Sequence, residues 1–152
     1  MINSTLCYLK NKNSTLMLYR NKKNFDIHEG KWNGLGGKLE PGESPDECVV
    51  REVREESGYL ISNPILKGCI TFPLFDSVND WIVFIYTCNK YNGKMINSKE
   101  GKLEWIETKD LLNLNVWDGD RIFMPWLENK PFFSAKFIYK DSVFKKYSVN
   151  FY

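Results

Sequence analysis

The sequence predicts an α/β (α+β) fold in which helices cover both faces of a mixed β-sheet. Segments rich in aromatic and β-branched residues occur in pairs that can form hairpins, and helical segments are interspersed with them. Few strand, helix, strand alternations of the kind that build a purely parallel sheet are present, and glycines mark the ends of predicted strands. These observations favour a layered protein around one mixed sheet.

Length and charge limit the class of protein. The 152 residues fit a single domain, 1–152, that is large enough for a hydrophobic core. A net charge of +2 with mixed signs gives no electrostatic footprint for long nucleic acid, although it is compatible with a nucleotide. No apolar stretch approaches the ~18 residues of a membrane span, and the first residues lack a secretion signal. We expect a cytoplasmic protein without a membrane segment, either monomer or homodimer.

The cysteines do not suggest a metal or redox motif. They are widely spaced, with no Cys-x-x-Cys pair and no histidine cluster that would indicate zinc. We expect reduced core thiols at Cys7, Cys48, Cys69 and Cys88.

The first predicted element is a hairpin. Ser4–Lys10 and Thr15–Arg20 alternate in the manner of strands around a turn at Asn11–Asn13, and we expect them at an edge of the sheet. The segment that follows, Asn21–Lys31, is polar and charged and predicts a loop. It contains the only histidine, His28, which we interpret as a solvated loop residue without an obvious partner.

A glycine-rich segment comes next. Trp32–Leu39 combines strand character with three glycines, which indicates that a ligand or another backbone approaches closely there. A β-bulge at a barrel corner is an alternative that is compatible with this interpretation. The carbonyl group of Gly36 or Gly37 is a candidate metal ligand.

The following segment predicts a helix from Pro45 to Ser57 that is fixed at both ends. Residues 44–47 form a capping box with proline at the first helical position, and Gly58 stands where a left-handed C-terminal residue belongs. At about 100° per residue, three valines share an arc that can pack on a core, and three glutamates share the adjacent arc. The valines are Val49, Val50 and Val53, and the glutamates are Glu52, Glu55 and Glu56.

The acidic arc of this helix has two interpretations. Clustered carboxylates repel one another, so a site that keeps them ionised usually holds a cation, and oxygen ligands suit Mg²⁺ or Mn²⁺. Alternatively, the arc is a solvated surface on which Arg51 and Arg54 pair with acids three or four residues away. The helix by itself leaves both open.

The second half of the chain predicts further strands and one more helical region. Aromatic and β-branched segments predict two hairpins and a separate strand, Asn92 and Gly93 mark a turn, and an aspartate at 118 or 120 begins a helix. In chain order these are the strands Ile65–Phe75 and Trp81–Cys88, the turn Tyr91–Lys94, the strand Lys102–Glu107, a short turn from Thr108, a helix to Glu128, and the strands Phe132–Tyr139 and Val143–Phe151.

The residues around the capped helix resemble the Nudix box, a spaced pattern of glycine, glutamate and Arg-Glu-aliphatic-x-Glu-Glu-x-Gly-aliphatic. The matching positions are Gly37, Glu43, Arg51, Glu52, Val53, Glu55, Glu56 and Gly58, whereas Tyr59 is aromatic in the final aliphatic position. The resemblance implies a Nudix-type α/β/α sandwich around a mixed sheet. It also implies hydrolysis of a nucleoside diphosphate linked to another moiety, with Mg²⁺ or Mn²⁺ as cofactor.

Carried over to this chain, the resemblance implies that Glu52, Glu55 and Glu56 hold metal or activate water. Arg51 is expected to orient these glutamates by ion pairing, and Glu43 to brace the junction before the helix.

The general base stays open, because in this superfamily it lies either in the box or on a loop outside it. Glu100 is the outside candidate for catalysis and metal binding, and it ranks below Glu55 and Glu56.

The resemblance extends to the MutT/MutX branch of Nudix enzymes, which clears oxidised purine nucleoside triphosphates such as 8-oxo-dGTP. It rests on Lys31–Lys38, Val116–Asp120 and Lys130–Phe137 and spans about Cys7 to Phe151. A small-molecule nucleotide is therefore the expected partner. Other substrates of the same chemistry, such as ADP-ribose, a dinucleoside polyphosphate or an ordinary dNTP, are alternatives, as is a non-catalytic nucleotide-sensing module.

By this resemblance, Asn33 and Asp120 line the base pocket and Trp117 stacks on the purine, while Lys23 and Lys38 are further expected substrate-binding residues. An amide can pair with a purine edge, a carboxyl group can pair with ring N–H groups, and an indole can stack on a base. The alternatives are a core tryptophan at 117 and a cap of the glycine turn by Asn33.

One departure concerns the base pocket. The mammalian relative of this branch has two consecutive acids there, whereas this chain has Gly119 followed by Asp120. Asp118, one residue earlier, is a candidate to replace the missing acid, although its side chain would point in a different direction.

Overall fold

The computed structural model describes residues 1–23 and 26–152, and two residues of the predicted Asn21–Lys31 loop, Asn24 and Phe25, lie outside them. Ten strands and three α-helices are assigned in the described part, together with a 3₁₀-helix at Thr108–Asn113. The strands are β1 (Ile2–Asn11), β2 (Ser14–Tyr19), β3 (Trp32–Asn33), β4 (Tyr59–Ile61), β5 (Ile65–Phe72), β6 (Trp81–Cys88), β7 (Tyr91–Gly93), β8 (Lys102–Glu107), β9 (Phe133–Lys140) and β10 (Val143–Phe151). The helices are α1 (Pro45–Ser57), α2 (Asp118–Phe123) and α3 (Trp126–Asn129).

Eight of the strands form one mixed sheet. Its order is β10, β9, β5, β6, β1, β2, β3, and β8 also pairs with β2. The β1/β6 and β5/β9 pairs are parallel and the other pairs of this sheet are antiparallel. The predicted mixed sheet is therefore confirmed. β4 and β7 form a separate two-stranded sheet.

The sheet carries a hydrophobic cluster on each face because successive side chains of a strand point to opposite sides. Along β1, Cys7 belongs to the cluster that also contains Val49 and Val53 of α1. Tyr8, the next residue, belongs to the cluster that contains Phe123 of α2. Helices thus cover both faces, as predicted for a sandwich. In the described part of the chain, no helix is long and apolar enough to cross a membrane.

Helix α1 has the predicted bounds because its ends are determined locally. The Ser44 side chain accepts the backbone N–H of Glu47, and the Glu47 side chain accepts the backbone N–H of Ser44, so the capping box is complete. Gly58 ends the helix in the left-handed conformation with φ of 84°. These contacts satisfy backbone groups that would otherwise lack partners at the helix ends.

Several element predictions were wrong in detail. The β1–β2 hairpin lies inside the sheet, because β1 pairs in parallel with β6 and β2 pairs with both β3 and β8. The predicted turn at Tyr91–Lys94 is mostly strand β7, which pairs with β4. Trp32–Leu39 contributes only the two-residue β3 and isolated bridges to β1.

Candidate active site

A cavity of about 630 Å³ lies where the glycine segment 34–38, helix α1, helix α2 and the loops around residues 26–28 and 100 meet. It brings together most of the residues predicted for the site, which are distant in the sequence. The predicted residues that line it are Lys23, Asn33, Gly36, Gly37, Lys38, Arg51, Glu52, Glu56, Glu100, Trp117 and Asp120. One end is acidic and the other is aromatic.

Glu56 is the most deeply buried acid of the acidic end. Its side chain accepts the backbone N–H of Gly36 at 2.7 Å, and the residue is only 7% exposed. Burial raises the pKa of the Glu56 carboxyl to about 8, and the neighbouring charge of Glu52 acts in the same direction. In the absence of a cation, this carboxyl group is mostly protonated near neutral pH.

The glycines before α1 allow the chain to pass close to other groups. A Cβ atom on Gly36 would lie 1.9 Å from the Thr5 carbonyl oxygen, and a Cβ atom on Gly37 would lie 2.5 Å from the Glu52 carboxyl carbon. The predicted close approach of another backbone is therefore confirmed. The Gly37 carbonyl already accepts the Thr5 N–H at 2.9 Å and the Cys48 thiol at 3.5 Å, which makes the Gly36 carbonyl the better metal-ligand candidate.

Arg51 connects the acids of the helix. Its guanidinium donates two hydrogen bonds to Glu43, at 2.6 and 2.8 Å, and one each to Glu52 at 2.8 Å and Glu55 at 3.2 Å. It also donates to the Lys38 carbonyl at 3.1 Å. The hydrogen bonds from Arg51 lower the pKa of the Glu43 carboxyl to about 2. Arg51 thus links acids of helix α1 to Glu43, which precedes the helix.

Glu52 and Glu55 differ in their surroundings although both pair with Arg51. The Glu52 side chain is 17% exposed, and burial raises the pKa of its carboxyl group. The Glu55 side chain is 59% exposed and lies outside the cavity lining. The helix therefore presents Glu52 and Glu56, one turn apart, to the cavity and turns Glu55 toward solvent.

Glu100 reaches the cavity from the loop before β8. The ammonium group of Lys23 lies 3.4 Å from one carboxylate oxygen of Glu100, and the guanidinium of Arg20 lies 3.2 Å from the other. Both cations therefore partly neutralise this acid. Lys38 extends over the Trp81 ring, with its ammonium nitrogen 5.4 Å from the ring centroid.

The fit of a divalent cation rests on Glu52 and Glu56. Within residues 1–23 and 26–152, no three His, Cys, Asp or Glu side chains are gathered as a ready metal-ligand group, because Glu55 points outward and Glu100 is paired with Arg20 and Lys23. However, Glu52 and Glu56 are oxygen donors whose pKa values are raised by burial, and a cation would favour their ionised forms. The residues present thus fit a hard cation.

The aromatic end is built around Trp117. Its indole N–H donates to Nδ1 of His28 at 2.8 Å, and its ring packs at steep angles against Phe75 and Tyr139, with centroids 5.1 and 5.6 Å away. Trp117 is 6% exposed and belongs to the core cluster, yet it also lines the cavity. The interpretation of His28 as a solvated residue without a partner was wrong, since the fold brings it to Trp117.

Two buried polar side chains adjoin this aromatic wall. Among the described residues the Asn33 Nδ2 atom has no hydrogen-bond partner, so a cap of the glycine turn by this group is not formed. Burial raises the pKa of the Asp120 carboxyl to about 7. A buried amide donor and a buried carboxyl group are groups that a polar ligand can satisfy.

The structure explains the glycine that replaces the first of the two pocket acids. The Gly119 N–H donates to the Tyr139 hydroxyl at 2.6 Å, and a Cβ atom on Gly119 would lie 2.6 Å from that same oxygen. A side chain at 119 would therefore collide with Tyr139. Asp118 does not substitute for it, because its side chain is 70% exposed and lies 3.9 Å from Arg121.

Sequence reasoning missed several residues of the cavity wall. Among the missed residues are Arg20, Asp26, His28, Phe72, Phe75 and Tyr139. An aromatic residue in a strand is equally consistent with core packing, so the pattern gave no signal for Phe72 or Tyr139. The position of His28, next to an aliphatic residue in a polar loop, likewise gave no signal that it belongs to the cavity wall.

Comparison with known proteins agrees with this architecture. The family described as NUDIX domain matches residues 2–127. An uncharacterised Nudix hydrolase of Bacillus subtilis is 38% identical over 76% of this chain and 72% of its own length. A mouse protein described as oxidised purine nucleoside triphosphate hydrolase is 30% identical over 74% of this chain and 72% of its own length.

A solved structure agrees over nearly the whole chain. The MutT protein of Bacillus halodurans superposes with a TM-score of 0.88 at 30% identity, covering 99% of this chain and 98% of that one. The overall fold described above is therefore that of a known fold family. This chain is a Nudix hydrolase with the α+β Nudix fold, and it belongs to the MutT-like branch of that family.

Proposed function

We propose that this protein hydrolyses oxidised purine nucleoside triphosphates, such as 8-oxo-dGTP, to the monophosphate and pyrophosphate in a Mg²⁺- or Mn²⁺-dependent reaction, and so sanitises the nucleotide pool. The observation that carries the proposal is one cavity of about 630 Å³ with carboxylates at one end and an aromatic, hydrogen-bonding wall at the other. A nucleoside triphosphate has the same division between a polyanion and an aromatic base. The description of the mouse relative supports the same substrate class.

At the aromatic end, Trp117 stacks on the purine. Asn33 offers an amide N–H that has no partner within residues 1–23 and 26–152, and Asp120 offers a carboxyl group whose pKa of about 7 lets it donate or accept at neutral pH. A single carboxyl group replaces the acidic pair of the mammalian relative, so we expect a narrower range of oxidised purines. Base stacking of this kind is worth roughly 1–3 kcal/mol per base.

At the acidic end, Glu52, Glu56 and the Gly36 carbonyl would hold the cation, and Arg51, which also lines the cavity, keeps Glu52 in place through a hydrogen bond. When bound, Mg²⁺ or Mn²⁺ supplies neutralisation of phosphate charge and lowers the pKa of attacking water. Lys23 and Arg20, which share Glu100 in the described structure, are positioned to exchange that contact for phosphate oxygens. Glu100 is then free to act on water, and it joins Glu56 as a candidate for the general base, whereas Glu55 lies outside the cavity lining.

The test is a comparison of kcat/KM for 8-oxo-dGTP, dGTP and ADP-ribose, with pyrophosphate and phosphate release measured separately. We expect the highest value for 8-oxo-dGTP, with pyrophosphate as the product. A preference for ADP-ribose would remove the sanitising role. Stoichiometric binding without pyrophosphate release across the panel would instead favour a nucleotide-sensing module.

Two variants test the acidic end and the aromatic end of the cavity separately. Glu56→Gln should abolish turnover, whereas Trp117→Ala should raise KM by about tenfold or more with a smaller change in kcat. Glu104→Gln, an exposed acid on β8, is the matched control and should leave both constants unchanged. Turnover of Glu56→Gln at the wild-type rate would contradict the assignment of the acidic end.

A further inference from the structure

His28 lies in the cavity wall, where its backbone contacts Asp26 and its ring contacts Phe75. Its backbone N–H donates to Asp26 at 3.1 Å, and Asp26 in turn accepts a hydrogen bond from Arg20 at 2.9 Å. Its ring lies nearly parallel to Phe75, with centroids 6.2 Å apart and an interplanar angle of 22°. The backbone of His28 is therefore held by its own loop, and its imidazole ring packs against the aromatic wall.

The contact with Trp117 determines the protonation state of this imidazole. An indole N–H is a donor only, so the Nδ1 atom that receives it at 2.8 Å must carry a lone pair. The neutral ring then bears its proton on Nε2. Burial, assisted by the charge of Arg20, lowers the pKa of His28 to about 4, so the acceptor form is present at neutral pH.

We propose that His28 is a positioning residue for purine recognition, which fixes the indole plane of Trp117 by accepting its N–H. This inference rests on the proposed function, because it assigns a role within the base pocket. The rings of Phe75 and Tyr139 pack edge-to-face against Trp117, at 68° and 88°, but the indole N–H is bonded to His28. His28 adds a directional hydrogen bond, which sets the rotation of the indole about its side-chain bonds.

The energetic argument concerns an unpaired donor. Without His28 Nδ1, the indole N–H would be left among aromatic rings, and a buried polar group without a partner is unfavourable. The indole would turn to find another partner and would no longer offer the base a fixed surface. We therefore expect a loss in purine binding, of about tenfold, with little effect on the chemical step.

Two substitutions at position 28 separate the hydrogen bond from the bulk of the side chain. His28→Leu removes the acceptor and keeps a side chain of similar size, whereas His28→Asn keeps an acceptor oxygen near the position of Nδ1. We expect His28→Leu to raise KM for the purine triphosphate about tenfold with kcat nearly unchanged. His28→Asn should recover KM to within about threefold of the wild type.

A double-mutant cycle with Trp117→Phe tests whether His28 acts through the indole N–H. In the Trp117→Phe background, which lacks that N–H, His28→Leu should change KM by less than about twofold. Equal effects of Leu and Asn at position 28, or a full tenfold effect of His28→Leu in the Trp117→Phe background, would overturn the proposal. So would a fall in kcat at constant KM.

Failure of the proposed function gives a different result. If the wild-type protein does not hydrolyse purine triphosphates, the proposed function is wrong. The role of His28 is then tested by calorimetric measurement of dGMP binding to the same variants. The expected result is again about tenfold weaker binding by His28→Leu and recovery by His28→Asn. Wild-type affinity in His28→Leu, or no dGMP binding by the wild type, would overturn the inference. Thermal unfolding of each variant establishes that it is folded.

Discussion

At the scale of single residues, the site is defined by polar groups that are buried without full compensation. Glu56 receives one backbone hydrogen bond, from Gly36, yet burial raises its pKa from 4.5 to about 8. Asn33 and Asp120 at the other end of the cavity are likewise buried. Groups of this kind cost folding free energy, and they are commonly retained where a ligand completes their contacts.

Glu56→Gln is predicted to stabilise the metal-free protein. A carboxyl group whose folded pKa is above its unfolded pKa favours unfolding as pH rises, so its cost is absent below about pH 4.5 and complete above about pH 8. Glutamine keeps the oxygen that accepts the Gly36 N–H and cannot ionise. We expect its free energy of unfolding to exceed that of the wild type by on the order of 4 kcal/mol at pH 8.

The measurement is urea unfolding in EDTA at pH 8 and at pH 4.5, where the difference should vanish. Glu104→Gln serves as the control because it lies on an exposed strand position. A destabilised Glu56→Gln protein at pH 8 would show that the buried carboxyl group is compensated by contacts other than a cation.

At the scale of elements, the glycine segment and helix α1 act as one unit. Gly36 faces the backbone of β1, and Gly37 faces the carboxyl group of Glu52. Arg51 then ties the segment to the helix through the Lys38 carbonyl at 3.1 Å. The two close contacts differ, because the backbone next to Gly36 cannot move away from an added Cβ atom, whereas the Glu52 side chain next to Gly37 can change its conformation.

Alanine substitutions at the two glycines should therefore fail in different ways. Gly36→Ala would place its Cβ atom 1.9 Å from the Thr5 carbonyl oxygen, and we expect it to destabilise the fold by about 3 kcal/mol or more. Gly37→Ala would displace the Glu52 side chain, and we expect a folded protein whose kcat is reduced at least tenfold. Thermal unfolding and steady-state kinetics on both variants test this contrast. Wild-type kcat in Gly37→Ala would contradict it.

At the scale of the whole molecule, buried titratable groups couple stability to pH and to cation binding. The pKa values of Glu56 and Asp120 are raised to about 8 and 7, so both groups lower stability as pH rises from about 4 through those values. The pKa of His28 is lowered to about 4, so this group lowers stability as pH falls from 6.5 through 4. Of these three groups, only the carboxyl groups of Glu56 and Asp120 still change charge above pH 6.5.

The metal-free protein is accordingly predicted to lose thermal stability between pH 6.5 and pH 8. Added Mg²⁺ should raise the Tm more at pH 8 than at pH 6, because it binds the ionised form of Glu56. Scanning calorimetry in EDTA and in MgCl₂ measures both effects. The double variant Glu56→Gln/Asp120→Asn should flatten the profile between pH 6.5 and 8. A metal-free Tm that rises over this range would contradict the prediction.

Local rules predicted helix α1 and the last hairpin well. The bounds Pro45–Ser57 follow from the capping box and Gly58, whose contacts span three or four residues. The turn at Asp141–Ser142 has positive φ at both residues, as a tight two-residue hairpin requires. The same rules could not place the first hairpin inside the sheet, because its parallel pairing with β6 joins segments about eighty residues apart.

The sequence by itself determined the helix that carries the acids, the spacing of those acids and the family that the spacing indicates. Only the tertiary structure decided which acids face the cavity, since α1 turns Glu55 outward and buries Glu56. It also decided the environment of Trp117, whose partner His28 lies 89 residues away in the chain. Local hydrogen bonds and side-chain periodicity act over a few residues and can be read from the chain, whereas contacts between distant segments depend on the strand order.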